Sequence, residues 1–213
     1  MTRAHLAFAL ASIIAAACHD VPRSPVSVAA SAGDVESLQR AVSSAATANS
    51  HDPDGWTPLI WATREGQLDA VHFLLIHGAD PNLVDKANRW TPLLHAVHRH
   101  QRAVAEQLLL AGAKPNQAVA EGLTPLMMAA GYGDAETVRL LLAHGADPAR
   151  RDGHGESALD YALAGISDID DFTIFKCQDD AARALVAGGA RLEGTHADKM
   201  AQMSARMKHC GKI

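Results

Sequence analysis

A six-residue phrase recurs along this chain every 33 or 34 residues, and a fixed period of that length limits the fold more than any other feature. Thr57-Pro58-Leu59-Ile60-Trp61-Ala62 returns as Thr91-Pro92-Leu93-Leu94-His95-Ala96 and as Thr124-Pro125-Leu126-Met127-Met128-Ala129. Ser157-Ala158-Leu159-Asp160-Tyr161-Ala162 is a decayed copy, and Ser24-Pro25-Val26-Ser27-Val28-Ala29 is an early one. The repeats therefore start at 24, 57, 91, 124 and 157. A second phrase follows: Leu74-Leu75 before Gly78-Ala79-Asp80, Leu109-Leu110 before Gly112-Ala113-Lys114 (one position short), Leu141-Leu142 before Gly145-Ala146-Asp147, and Leu185-Val186 before Gly189-Ala190.

The phrases read as helix pairs. Thr or Ser before Pro is an N-cap with Pro in the first helical position, where a missing N–H costs nothing. Small residues at Ala62, Ala96 and Ala129 let helices approach closely. Gly66 and Gly133 end the first helix. Leu74, Leu75, Leu141 and Leu142 point inward on the second, which stops at Gly78, Gly112, Gly145 and Gly189, residues suited to a left-handed cap. Hydrophobic residues make up 48% of the chain but aromatics only 4%, so the core is Leu, Val and Ala, as in close-packed helices.

These phrases resemble the ankyrin repeat, whose pattern is Gly-x-Thr-Pro-Leu-His-x-Ala-Ala followed by Leu-Leu-x-x-Gly-Ala-Asp. The resemblance implies an all-α solenoid of about five repeats over 24–190. The family's His is replaced by Ile60, Leu94, Met127 or Asp160, so its capping hydrogen bonds are expected to be absent, and His100 stands where a turn glycine belongs. Repeat one is polar and reads as a cap. The middle repeats are expected to be firmest, because each buries its faces only against neighbours.

The ends carry separate signals. Residues 1–17 hold one cation, Arg3, and an apolar run too short to span a bilayer, as in an export signal. Ala15-Ala16-Ala17-Cys18 resembles the lipobox of bacterial lipoproteins, with Ala where Leu is usual three residues before the Cys. The resemblance implies lipidation at Cys18, a tether over 18–23 and a place on the periplasmic face of the outer membrane, since His19 rather than Asp follows; a soluble periplasmic protein is the alternative. Repeat five carries eleven extra residues within 165–180, and 191–213 reads as a tail and cap helix with Met200, Met203, Met207 and Cys210 on one face. In an oxidising compartment Cys177 and Cys210 are expected to pair; two free thiols are the alternative.

Little in the sequence points to catalysis. His95, His98 and His100 lack metal-ligand spacing and read as surface and turn histidines. Asp168, Asp170 and Asp171 lack the glycine and distal Glu of a calcium loop. No nucleophile–base pair or phosphate loop stands out, so no enzyme activity, metal or cofactor is expected. The net charge of −5, without a basic patch, argues against nucleic acid. In ankyrin arrays the hairpin tips and first helices grip a partner protein. By phase, that face comprises Asp54, Trp56, Arg64, Glu65, Asn88, Trp90, His98, Arg99, Glu121, Leu123, Tyr132 and His154, with Trp56 and Trp90 as either hot spots or hairpin packing. The expectation is a monomeric scaffold or inhibitor of another protein. The alternatives are an immunity-type protein whose acidic face masks a basic toxin, and a His-rich metal-handling protein.

Overall fold

The computed structural model describes residues 24–164, 178–193 and 196. Cys18, Cys177, Cys210, the tail methionines and residues 165–177 of the insertion lie outside the described residues, as do the export signal and tether. The helices are α1 Pro25–Ala32, α2 Val35–Ala41, α3 Ala45–Ala48, α4 Pro58–Arg64, α5 Leu68–Ile76, α6 Pro92–His98, α7 Arg102–Leu110, α8 Pro125–Gly131, α9 Ala135–Ala143, α10 Ala158–Ala164 and α11 Gln178–Ala187. Among the described residues there is one isolated β-bridge, Arg151 with Ser157, and no strand. None of the described helices is long and apolar enough to cross a membrane.

The first helix of each pair begins one residue after each repeat start, and the caps explain why. The Ser24, Thr57, Thr91 and Thr124 hydroxyls accept from the N–H groups of Ser27, Ile60, Leu94 and Met127 at 3.0, 3.3, 3.2 and 3.2 Å, each with Pro next in line. Each such cap is worth about 1 kcal/mol. The expected lack of capping bonds is corrected at the fifth start. Asp160 Oδ2 accepts from Ser157 N at 2.9 Å while Ser157 Oγ accepts from Asp160 N at 3.4 Å, a reciprocal capping box with Asp in the Glu role.

The first helices end in left-handed turns. Gly66 and Gly133 have φ of 68° and 69°, and His100 holds the same conformation at 55°. The N–H that follows returns to the helix in all three, Gln67 to Ala62, Gln101 to Ala96 and Asp134 to Ala129. A Cβ in that region costs about 1 kcal/mol, a strain the neighbouring repeats carry at His100.

The second helices set a register that differs from the sequence reading. Leu74, Leu108, Leu141 and Leu185 are fully buried, each four residues before a left-handed glycine. Leu108, not Leu109-Leu110, is thus the equivalent of Leu74, and Leu110 is 73% exposed. Leu75 and Leu142 are half-buried rather than inside, because the next residue on a helix turns about 100° away from the packed stripe.

The chain divides into two compact units, one holding the described residues 24–120 and the other 121–196. In the first, α4 packs between α1 and α6, and α5 packs against α7 and α2. Asn49 Nδ2 donates to Gly78 O at 2.8 Å and its Oδ1 accepts from Asp80 N at 2.7 Å. Asn82 repeats the bridge to Gly112 O and Lys114 N at 3.2 and 2.8 Å. In the second unit, α8 packs on α10, and α11 on α9 and α10.

The register makes a direct prediction. Leu108→Ala is expected to lower unfolding free energy by about 2–5 kcal/mol, and Leu110→Ala by less than about 0.5 kcal/mol. Urea denaturation followed by circular dichroism checks both; equal losses would contradict the register.

Candidate functional site

Three of the hairpin tips are built around a carboxylate, Asp52, Asp85 or Asp152. Asp52 N donates to Trp56 O at 2.9 Å, and Asp52 Oδ1 accepts from Asp54 N and Trp56 N at 3.1 and 2.9 Å. Asp85 does the same for Asn88 N and Arg89 N at 2.6 and 3.1 Å, and Asp152 for His154 N and Glu156 N at 2.9 Å each. The other oxygen reaches down to the first helix. Trp61 Nε1 donates to Asp52 Oδ2 at 2.7 Å, His95 Nε2 lies 2.9 Å from Asp85 Oδ2, and Tyr161 OH donates to Asp152 Oδ2 at 2.9 Å. One carboxylate therefore closes the turn and ties it to the helix that follows.

His95 is 4% exposed, so the reading of it as a surface histidine is corrected. Burial drives its proton off, against the pull of Asp85, and Arg64 and Arg99 add to the push. Burial also raises Asp85, but the bonds from His95, Asn88 N–H and Trp90 N–H outweigh this and hold the carboxyl below its usual range. The pair is thus an ionised Asp85 accepting from the Nε2–H of a neutral His95.

Around it runs a ladder of rings. Trp61 and Trp56 lie 4.7 Å apart, Trp56 and His95 5.5 Å, His95 and Trp90 5.2 Å, and Trp90 and His98 5.2 Å edge-on. Trp56 and Trp90 are only 8% and 4% exposed, so of their two expected roles packing is the one the geometry shows. The Arg64 guanidinium lies 4.1 Å over the Trp56 ring. Glu65 and Arg99 are exposed at the helix ends; Asp54, Asn88 and His98 are half-buried.

The remaining expected positions fall in the second unit. Glu121 is exposed with φ of 64°, and its carboxylate lies 3.8 Å from the exposed His154 ring; Leu123 and Tyr132 are half-buried. Asp160 takes His196 Nε2 at 2.6 Å as well as Ser157, and Arg151 meets Glu193 at 2.6 Å. Ser157 thus hydrogen-bonds a carboxylate rather than an imidazole, an order of contacts unlike that of a Ser-His-Asp triad. Among the described residues no cluster of His, Cys, Asp or Glu is placed to hold a metal ion.

Sequence reading missed Asp52, Asp85 and Asp152 with their partners. The signal was there: an Asp five or six residues before the repeat start accompanies Trp61, His95 or Tyr161 four residues after it, while the fourth repeat has Val119 and Met128 in those places. Donor and acceptor are kept or lost together.

A family model for ankyrin repeats in three copies matches residues 8–85, 26–119 and 93–196. The chain belongs to the ankyrin-repeat family. It is 33% identical to the mitochondrial disaggregase of Bos taurus over 139 residues, 64% of this chain and 20% of that protein. It is 55% identical to palmitoyltransferase Hip14 of Drosophila melanogaster over 109 residues, 50% of this chain and 17% of the relative. To ankyrin repeat family A protein 2 of Homo sapiens it is 53% identical over 38 residues, 18% of this chain and 12% of that protein. The chain thus spans a fifth or less of these relatives. Ankyrin repeats are protein–protein interaction modules, and the fold is typically non-catalytic; enzymes among the relatives carry further domains.

The buried pair predicts how stability responds to pH. The folded state resists protonation of His95, whereas the unfolded chain takes the proton below about pH 6.5. Stability from this group is therefore present above that pH and falls as pH drops; Asp85 adds a further loss below about pH 4. His95→Gln keeps a neutral donor, and its melting temperature is expected to fall less than wild type between neutral pH and the carboxylate range. An unchanged slope would contradict the assignment.

Proposed function

We propose that this chain is a non-catalytic binding module of the bacterial cell envelope. It is exported, held at the periplasmic face of the outer membrane by lipid on Cys18, and scaffolds or inhibits another protein. The observation that carries the reading is the division of labour at the hairpins. Asp52 and Asp85 satisfy the tip amides internally, leaving Glu65, Lys86, Arg89 and Arg99 exposed on a fixed frame. Such pre-organisation lowers the ordering cost of association. The apolar run before Cys18 supports the location.

The immunity-type alternative called for an acidic face. Of the acidic tip residues, Asp54 is half-buried and Glu121 already faces His154. The scaffold or inhibitor reading therefore stands first.

A photo-crosslinking residue placed at Glu65 or Arg89 in the native host is expected to trap one discrete protein; the same residue at exposed Glu106 on α7 is expected to trap none. Equal trapping at both would count against the hairpin face. Fatty-acid labelling should occur and disappear in Cys18→Ser; labelling that persists would remove the anchor.

A further inference from the structure

We propose that the rim of the aromatic ladder in residues 52–102 receives an acidic segment of the partner protein. The inference rests on the reading of this face as protein-binding and adds the chemistry of what it binds. Lys86, Arg89 and Arg99 are exposed, and among the described residues none of the three has a carboxylate partner. They lie together. The Lys86 stem crosses the preceding tip so closely that a Cβ on Gly55 would meet the Lys86 Cβ at 2.5 Å, and Lys86 N donates to Gly55 O at 3.1 Å. Arg89 stands at its own tip with φ of 60°, next to Trp90, whose ring meets His98, the neighbour of Arg99. Arg64, over Trp56, continues the strip, and both Arg64 and Arg99 lie near enough to bear electrostatically on His95.

The acids nearby do not cancel it. Asp52 and Asp85 are buried and committed to Trp61 and His95. At the tips and first-helix ends half-buried Asp54 and exposed Glu65 oppose the four cations, while exposed Asp69 and Asp80 stand at the start of α5 and just past its end. A chain of net charge −5 thus presents a locally positive rim at its hairpins. Guanidinium groups take carboxylates in two-pronged geometry, and such charges steer association as well as hold the complex. Nucleic acid fits less well. Four cations over two repeats neutralise few phosphates, and Trp56 and Trp90, 8% and 4% exposed, offer no ring face for bases to stack on.

A random peptide display library selected against the full chain tests this. Enriched peptides are expected to be rich in Asp and Glu. Their affinity should fall about tenfold in the Arg89→Gln, Arg99→Gln double variant, fall with added salt, and hold in Arg139→Gln, a change at an exposed position of α9. Circular dichroism matching wild type shows that the variants are folded. Neutral or basic peptides that still lose affinity on the rim changes would overturn the acidic partner while leaving the binding face intact. No enriched peptide, or a DNA duplex bound as tightly as the acidic peptide, would overturn the proposal outright.

Discussion

A buried carboxylate at the hairpin tips of Asp52 and Asp85 is the interaction on which the rest hangs. An unpaired charge in such a place would be costly, and the chain avoids this by giving both oxygens of each carboxylate hydrogen-bond donors. One oxygen of Asp52 or Asp85 collects tip amides; the other meets a ring N–H from the helix that starts six or seven residues later. The bond joins two levels of structure, the turn and the stack. Because the tip amides are satisfied from below, the tip backbone is held in one conformation.

Most of the fold was legible. The Thr-Pro phrase encodes a cap and a start, and left-handed glycines encode the stops, because both act locally and depend on one residue type. What failed were features set by pairs. The Leu108 register was obscured by a run of three leucines, Leu108 to Leu110, in which only helical geometry selects the buried one. Asp160 departs from the family's His, yet an acid at the third helical position can return a bond to the cap backbone. Trp56 and Trp90 drew attention as aromatic anchors, yet the rings of His95 and Trp61 cover them. The two indoles are therefore part of the hairpin packing, and the exposed side chains beside them are Glu65, Lys86, Arg89 and Arg99.

That packing shifts the functional emphasis. Overall charge is acidic, yet Lys86, Arg89 and Arg99 are exposed near the first-unit tips while Asp52 and Asp85 are consumed by the clamps. Net charge describes solubility and long-range repulsion; local placement describes recognition. The same buried pairs that stabilise the hairpins also decide which sign of charge is left to show.

A double-mutant cycle on Asp52 and Trp61 tests the clamp most directly. Asp52→Asn, Trp61→Phe and the double variant would be unfolded in urea. The account predicts a coupling energy above about 1 kcal/mol, since either change alone strands the other partner. Losses that add to within about 0.3–0.5 kcal/mol would contradict it, and would mean that turn and helix are held independently.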